Sequence, residues 1–149
     1  MNKAMQAVAN YFKKNDWNFE LDEEHGVLQT GMQGENAKFK CYAIVEDSIL
    51  QFLTVFPSNV SEKKRSEIAE FITRACYNLK VGRLEMDYND GEVRFHTSSL
   101  FAGEVPAEEV IHGVVGYNLV QADKHYPAMM SITFGGAKPA EVVEKFRLG

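Results

Sequence analysis

Little in this sequence could brace a small fold from outside. Only two cysteines, Cys41 and Cys76, occur in 149 residues. They lie far apart, each inside an apolar pattern, which excludes a disulfide framework and predicts buried, reduced thiols. Positive charge is scarce: 16 Lys plus Arg against 21 Asp plus Glu give a formal charge of −5 and a pI near 5.4. That is the wrong balance for a general nucleic-acid binder. Prolines number four, and with 45% hydrophobic and 25% charged residues the composition excludes a disordered chain. No apolar run reaches the ~20 residues of a bilayer span; even 48–56 is interrupted by Gln51 and followed by Pro57. The first twelve residues have neither the apolar stretch nor the cleavage site of a secretory signal, so the cytoplasm is the expected compartment. Repeats, low-complexity tracts and linkers are missing too, which predicts one domain over 1–149. A chain of this size buries roughly 68–70% of its unfolded surface, so the core needs no disulfide or structural metal.

What is present is amphipathic patterning. Met5, Val8, Ala9 and Phe12 recur at helical spacing among Lys3, Asn10, Lys13 and Lys14, predicting a helix over about 2–15 that Asn15-Asp16 ends. Phe19 and Leu21 alternate with Asn18 and Glu20, an acidic turn follows over 22–26, and 27–32 reads as a return strand. The next hairpin is clearer. Phe39, Cys41, Ala43 and Val45 share one face of a strand, and Leu50, Phe52, Thr54 and Phe56 share one face of the next. A two-residue loop at 46–47 or 47–48 puts both sets on the same side. The opposite side carries Tyr42, Ile44, Ile49, Leu53 and Val55, broken only by Lys40, Gln51 and Glu46. One-sided antiparallel sheets normally show a polar outer face, so this one calls for a cover.

After Pro57, Ile68, Ile72, Ala75, Cys76 and Leu79 form a stripe with Phe71 beside it, predicting a helix over about 61–79 with a mixed-charge, solvated face. Strands over 83–88 and 92–98 flank Asn89-Asp90-Gly91. With Asp90-Gly91 as a two-residue type I′ loop, Tyr88 faces Val93, Met86 faces Phe95, Asp87 faces Arg94 and Glu85 faces His96. That pairing gives His96 a structural task on a solvated face. Pro106, Glu108 and Glu109 start a helix over about 106–125. Its core stripe is Ile111, Val114, Val115, Leu119 and Ala122, and Val110, Tyr117 and Val120 spread apolar surface further round. Residues 128–134 fit helix or strand, Gly135-Gly136 break the chain, and Pro139 opens a last helix with Val142, Val143 and Phe146. The expected order is α-β-β-β-α-β-β-α-α, with room for an additional strand early on: an α+β fold with a mainly antiparallel sheet.

The residues display no chemistry. His25, His96, His112 and His125 form no constellation; the one pair on a single predicted helix, His112 and His125, is separated by roughly 20 Å of rise and about 220° of rotation. There is no His-Glu-x-x-His and no closely spaced cysteine pair. Asp22-Glu23-Glu24 and the carboxylates over 87–92 lack the alternating ligands of a calcium loop, and Gly135-Gly136 with Lys138 lacks P-loop spacing. No catalytic, cofactor-binding or metal-ligating residue is therefore assigned. Met129-Met130 suit core filling as well as an adaptable surface.

The run Asn78-Leu79-Lys80-Val81-Gly82-Arg83-Leu84-Glu85-Met86-Asp87, followed by Asp90-Gly91-Glu92-Val93-Arg94-Phe95 and Thr97, resembles the YbjN-domain family of bacterial proteins, catalogued as "putative sensory transduction regulators". Pro57 with the charged helix, Asp123 to Pro127 and Gly135-Gly136 extend the likeness over most of the chain. The resemblance implies a fold like that of type III secretion chaperones, small acidic proteins that dimerise and hold partner polypeptides without hydrolysing ATP. It implies a dimer contact on the second helix at Ile68, Phe71, Ile72 and Ala75, and a partner groove on the first helix at Met5, Val8 and Phe12. No catalytic residues and no cofactor come with it. The expected function is a non-enzymatic, homodimeric, protein-binding module with an unidentified protein or peptide partner, and neither nucleic acid nor membrane. Two alternatives stand beside it: the chain's own helices cover both apolar surfaces, or a small-molecule sensor or enzyme uses His96, His112 or Cys41 in a pocket between helix and sheet.

Overall fold

The computed structural model describes residues 2–148. The chain runs α1 (Lys3–Lys14), β1 (Glu20–Asp22), β2 (Val27–Gln33), β3 (Lys38–Glu46), β4 (Ile49–Val55), a 3-10 turn (Glu62–Lys64), α2 (Arg65–Cys76), β5 (Arg83–Met86), β6 (Val93–Leu100), α3 (Glu108–Thr133) and α4 (Pro139–Leu148). The early strand β1 is the additional one for which the sequence left room. All strands pair antiparallel in one six-stranded sheet of order β1-β2-β3-β4-β6-β5, which makes the fold α+β.

Local chemistry sets the ends of α1. The Asn2 side chain accepts from the backbone of Ala4 at 2.7 Å and Met5 at 3.3 Å, an N-cap. At the other end Asp16 takes φ 58° and the Trp17 N–H reaches back to the Phe12 carbonyl at 3.0 Å, the bond of a Schellman stop. At the end of α3 Gly136 takes φ 70°, and the Ala137 N–H reaches six residues back to the Ser131 carbonyl at 3.0 Å.

Glu46 pairs with Ile49, so the β3–β4 loop is Asp47-Ser48, and Phe39, Cys41, Ala43, Val45, Leu50, Phe52 and Thr54 all point into the core. The helices lie on that side. Phe12 of α1 meets Phe52, Tyr126 of α3 meets Phe39 and Phe56, and His125 of α3 sits among Phe71, Phe95 and Phe146. The broad apolar girdle of α3 is divided among α1, α2, α4 and the sheet, leaving Val120 exposed. Asn118 of α3 is fully buried and donates to the carbonyls of Phe52 at 2.7 Å and Phe95 at 3.0 Å; it bolts the helix to two adjacent strands.

Three expectations are corrected. The β5–β6 register is Met86 with Val93, Leu84 with Phe95, Glu85 with Arg94 and Arg83 with His96, two residues from the pairing a two-residue loop imposes. The loop instead spans Asp87 to Glu92, closed by Asp87 N–H to Glu92 at 2.9 Å and Gly91 N–H to Asp87 at 2.7 Å. Arg65 of α2 holds it by donating to the carbonyls of Val60, Tyr88 and Asn89. A shift of two preserves which face each side chain occupies. Second, α3 continues through Pro127 to Thr133, so 128–133 is helix and Phe134 is its cap. Third, α2 ends at Cys76, short of residue 79.

Candidate functional site

With every helix on one side, the other face of the sheet is bare, and the register makes it a grid. One row runs Gln29, Tyr42, Leu53, His96 and Arg83; the next runs Gly31, Lys40, Val55, Arg94 and Glu85. Tyr42, Ile44 and Val55 are half-buried, while Ile49 and Leu100 are exposed at one end. Leu53, at the grid centre, is nearly closed off by its neighbours alone, at 6% exposure. The face carries an open groove of about 700 Å³ whose floor and walls include Gly31, Lys40, Tyr42, Leu53, Val55 and Arg94, with Lys38 and Glu92 at its rim. The apolar second face read from the sequence is thus present, and no element of the described chain covers it.

At the β5 edge of this face Glu85 gathers three partners. Arg94 Nε lies 2.5 Å and Arg83 Nε 2.8 Å from its carboxylate, and His96 Nδ1 lies 3.1 Å away. Burial pushes Glu85 up, but the hydrogen bonds from Arg83 and Arg94, with the charge of Arg94, outweigh it and hold the carboxyl below its usual range. His96 is buried at 7% exposure, not solvated. Burial, with help from the arginines, outweighs Glu85 and keeps its imidazole pKa low. Its Nδ1 also stands 3.0 Å from Arg83 Nη2, and its Nε2 is buried without a protein partner. The cluster is a structural clasp between two strands, compatible with a neutral ring.

Cys41, His96 and His112 are not brought together. Cys41 points into the core beside Thr54 at 3.5 Å, and burial pushes its thiol up to about 11, the opposite of an activated nucleophile. His96 faces the other side of the sheet. His112 pairs with the Tyr11 hydroxyl at 2.8 Å where α3 meets α1. Among the described residues no cluster of His, Cys, Asp or Glu could hold a metal ion, and no helix is long and apolar enough to cross a membrane.

The interaction residues expected from the resemblance are placed inside the protein. Met5, Val8 and Phe12 are 1%, 0% and 0% exposed, and Ile68, Phe71 and Ala75 are 0%, 0% and 7%; Ile72 is half-buried against the same core. These stripes are the inner faces of α1 and α2, packed against the sheet, α3 and α4 within the chain. Helical periodicity identifies a face that must be covered; it does not say by what. Arg94 and Gly31 escaped sequence reasoning because they join the Lys40 row through nonlocal strand pairing. Lys40 itself was visible as a charge interrupting an apolar face.

A helix-backed antiparallel sheet with one bare face defines an α+β protein. The chain belongs to the YbjN family: the family model described as "Putative bacterial sensory transduction regulator" matches residues 5–129. It is similar in structure to "YbjN, a putative transcription regulator from E. coli", with a TM-score of 0.58 at 10% identity, covering 82% of this chain and 92% of that one. At that identity the likeness concerns the fold. No curated protein matches the sequence.

Proposed function

We propose that the chain is a non-enzymatic regulatory protein that binds another polypeptide on the bare face of its sheet. The observation that carries this is the run of apolar side chains, Tyr42, Ile44, Ile49, Leu53 and Val55, on a face that no part of the described chain covers. Contiguous exposed apolar surface on a small protein marks an interaction site. The regulatory description of the family supports the same reading, and the chaperone-like fold that the family resemblance implies would be a precedent for holding a polypeptide without chemistry. Ile68, Phe71 and Ala75 of α2 pack in the protein's own core, which favours the sheet face over α2 as the surface for a partner.

The test is selection of phage-displayed random peptides on the intact protein, followed by binding of the selected peptides to Val55→Glu and Ile44→Glu. Peptides that bind wild type and lose at least about tenfold in affinity, or about 1.4 kcal/mol, on either variant support the reading. Peptides that bind both variants like wild type overturn it. So does light scattering that shows a dimer of the 16.8 kDa chain reverting to monomer in Ile44→Glu, since the face would then belong to a second copy.

A further inference from the structure

We propose that the groove at the Gly31 end of the bare face takes an extended acidic segment carrying an apolar side chain, supplied by a partner protein. This rests on the reading of that face as a polypeptide-binding surface and adds the chemistry of the occupant.

Charge is the first argument. In the row Gly31, Lys40, Val55 and Arg94, two cations flank one apolar residue. Lys40 and Arg94 sit on strands two spacings apart, about 10 Å. Lys38 adds a third cation at the rim, against the carboxylates of Glu92 in the lining and of Glu85 beside Arg94. Arg94 is engaged by Glu85, but among the described residues neither Lys38 nor Lys40 has an ion-pair partner. A positive groove on a chain of formal charge −5 runs against the composition and favours an acidic ligand. It also disfavours a second copy docked on the same patch, because a two-fold interface would set these cations against themselves.

The second argument is Gly31. It is paired in continuous register with Lys40, is not among the positive-φ glycines, and a Cβ there would meet nothing closer than Lys38 Cε at 3.7 Å. Neither backbone nor packing requires glycine at this strand position. A glycine that the fold does not need leaves the groove floor open to the close approach of another backbone. Beside it, Val55, Leu53 and Tyr42 give an apolar side chain its seat.

Fluorescence anisotropy on the intact protein tests this, using a synthetic peptide alternating Asp or Glu with Leu and Phe, and the same peptide with Lys replacing each acid. The acidic peptide is expected to bind at least about tenfold more tightly than the basic one, and to weaken as salt rises from about 0.1 M to about 1 M. Lys40→Glu should weaken it about tenfold. Gly31→Val should abolish binding without lowering thermal stability, since valine suits a strand. Equal binding of the two peptides, or wild-type affinity in both variants, overturns the proposal. Should neither synthetic peptide bind while library-selected peptides of another composition still depend on Val55 and Ile44, the acidic occupant is refuted and the binding face stands. Should no selected peptide depend on the face, the broader reading falls.

Discussion

The side-chain amide of Asn36 donates to the backbone carbonyl of Asp123 at 3.1 Å. That carbonyl would normally accept from the residue four positions on, which is Pro127 and has no N–H. The Asp123 carboxylate returns the contact by accepting from the backbone N–H groups of Glu35 at 3.0 Å and Asn36 at 2.9 Å. A turn between β2 and β3 thus fills the hydrogen-bonding gap in α3, and the gap anchors the turn. Proline in a helix interior costs about 3 kcal/mol, and this mutual capping offsets part of it.

Asp123→Ala is expected to lower stability by about 1 kcal/mol, the modest figure for exposed backbone hydrogen bonds. It should also speed hydrogen exchange at the Glu35 and Asn36 amides. Denaturant unfolding and amide exchange check this; unchanged exchange at both amides would show that the turn holds without the helix.

Gly91→Ala should be far more damaging than its exposed-looking loop suggests. Gly91 has φ 81°, and an added Cβ would collide with the Val60 carbonyl. Backbone strain of this kind costs about 1–3 kcal/mol. A melting temperature equal to wild type would mean that the loop can rearrange around Arg65.

Asn118→Leu removes the donor shared by the Phe52 carbonyl, the Phe95 carbonyl and Thr97 Oγ1. Thr97 remains tied to the Val114 carbonyl at 2.7 Å, but the buried Asn118 contacts to Phe52 and Phe95 are lost. A loss of about 2–4 kcal/mol is expected, measured by equilibrium unfolding. A stable, well-packed leucine variant would show that the polar bolt contributes position and not stability.

Acidification should destabilise the fold in two stages. His96 and His125 both protonate below the ordinary 6.5 in the folded protein, with burial as the leading cause in each. Between 6.5 and the folded values the unfolded chain binds more protons, so the stability present above 6.5 falls as pH falls. Glu85 follows: its carboxyl is held below the ordinary 4.5, so its contribution is present above 4.5 and is lost as pH falls through the folded value. The urea midpoint should decline on acidification from about 6.5 and decline again below about 4.5. His125→Phe should flatten part of the first stage; a midpoint that rises on mild acidification contradicts the assignment.

Several features were legible in the residues alone. The stripe Met5, Val8 and Phe12 specifies a buried helix face, and the alternation in 39–45 and 50–56 places Cys41 and Phe52 in the core and Tyr42 and Leu53 opposite. Other features were not. Whether α3 could run through Pro127 depended on Asn36, distant in sequence. The β5–β6 register depended on Arg65 gripping the loop, which outweighed the local turn preference of Asp90-Gly91. Leucine-like burial of His96 on the outer face followed from Leu53, Arg83 and Glu85 crowding it, a consequence of β6 pairing with β4 as well as β5.

Local periodicity by itself determined the kinds of element, which side chains share a face, and that two opposed sheet faces are apolar, because side-chain direction repeats within a few residues. Only the tertiary structure decided which face is covered. The helices return to one side, so Ile68, Phe71 and Phe12 are spent inside, and β6 inserts beside β4, which sets Arg94 next to Val55 and Lys40. The bare face with its positive groove is made by those long-range pairings, and no window of sequence short enough to show a period contains them.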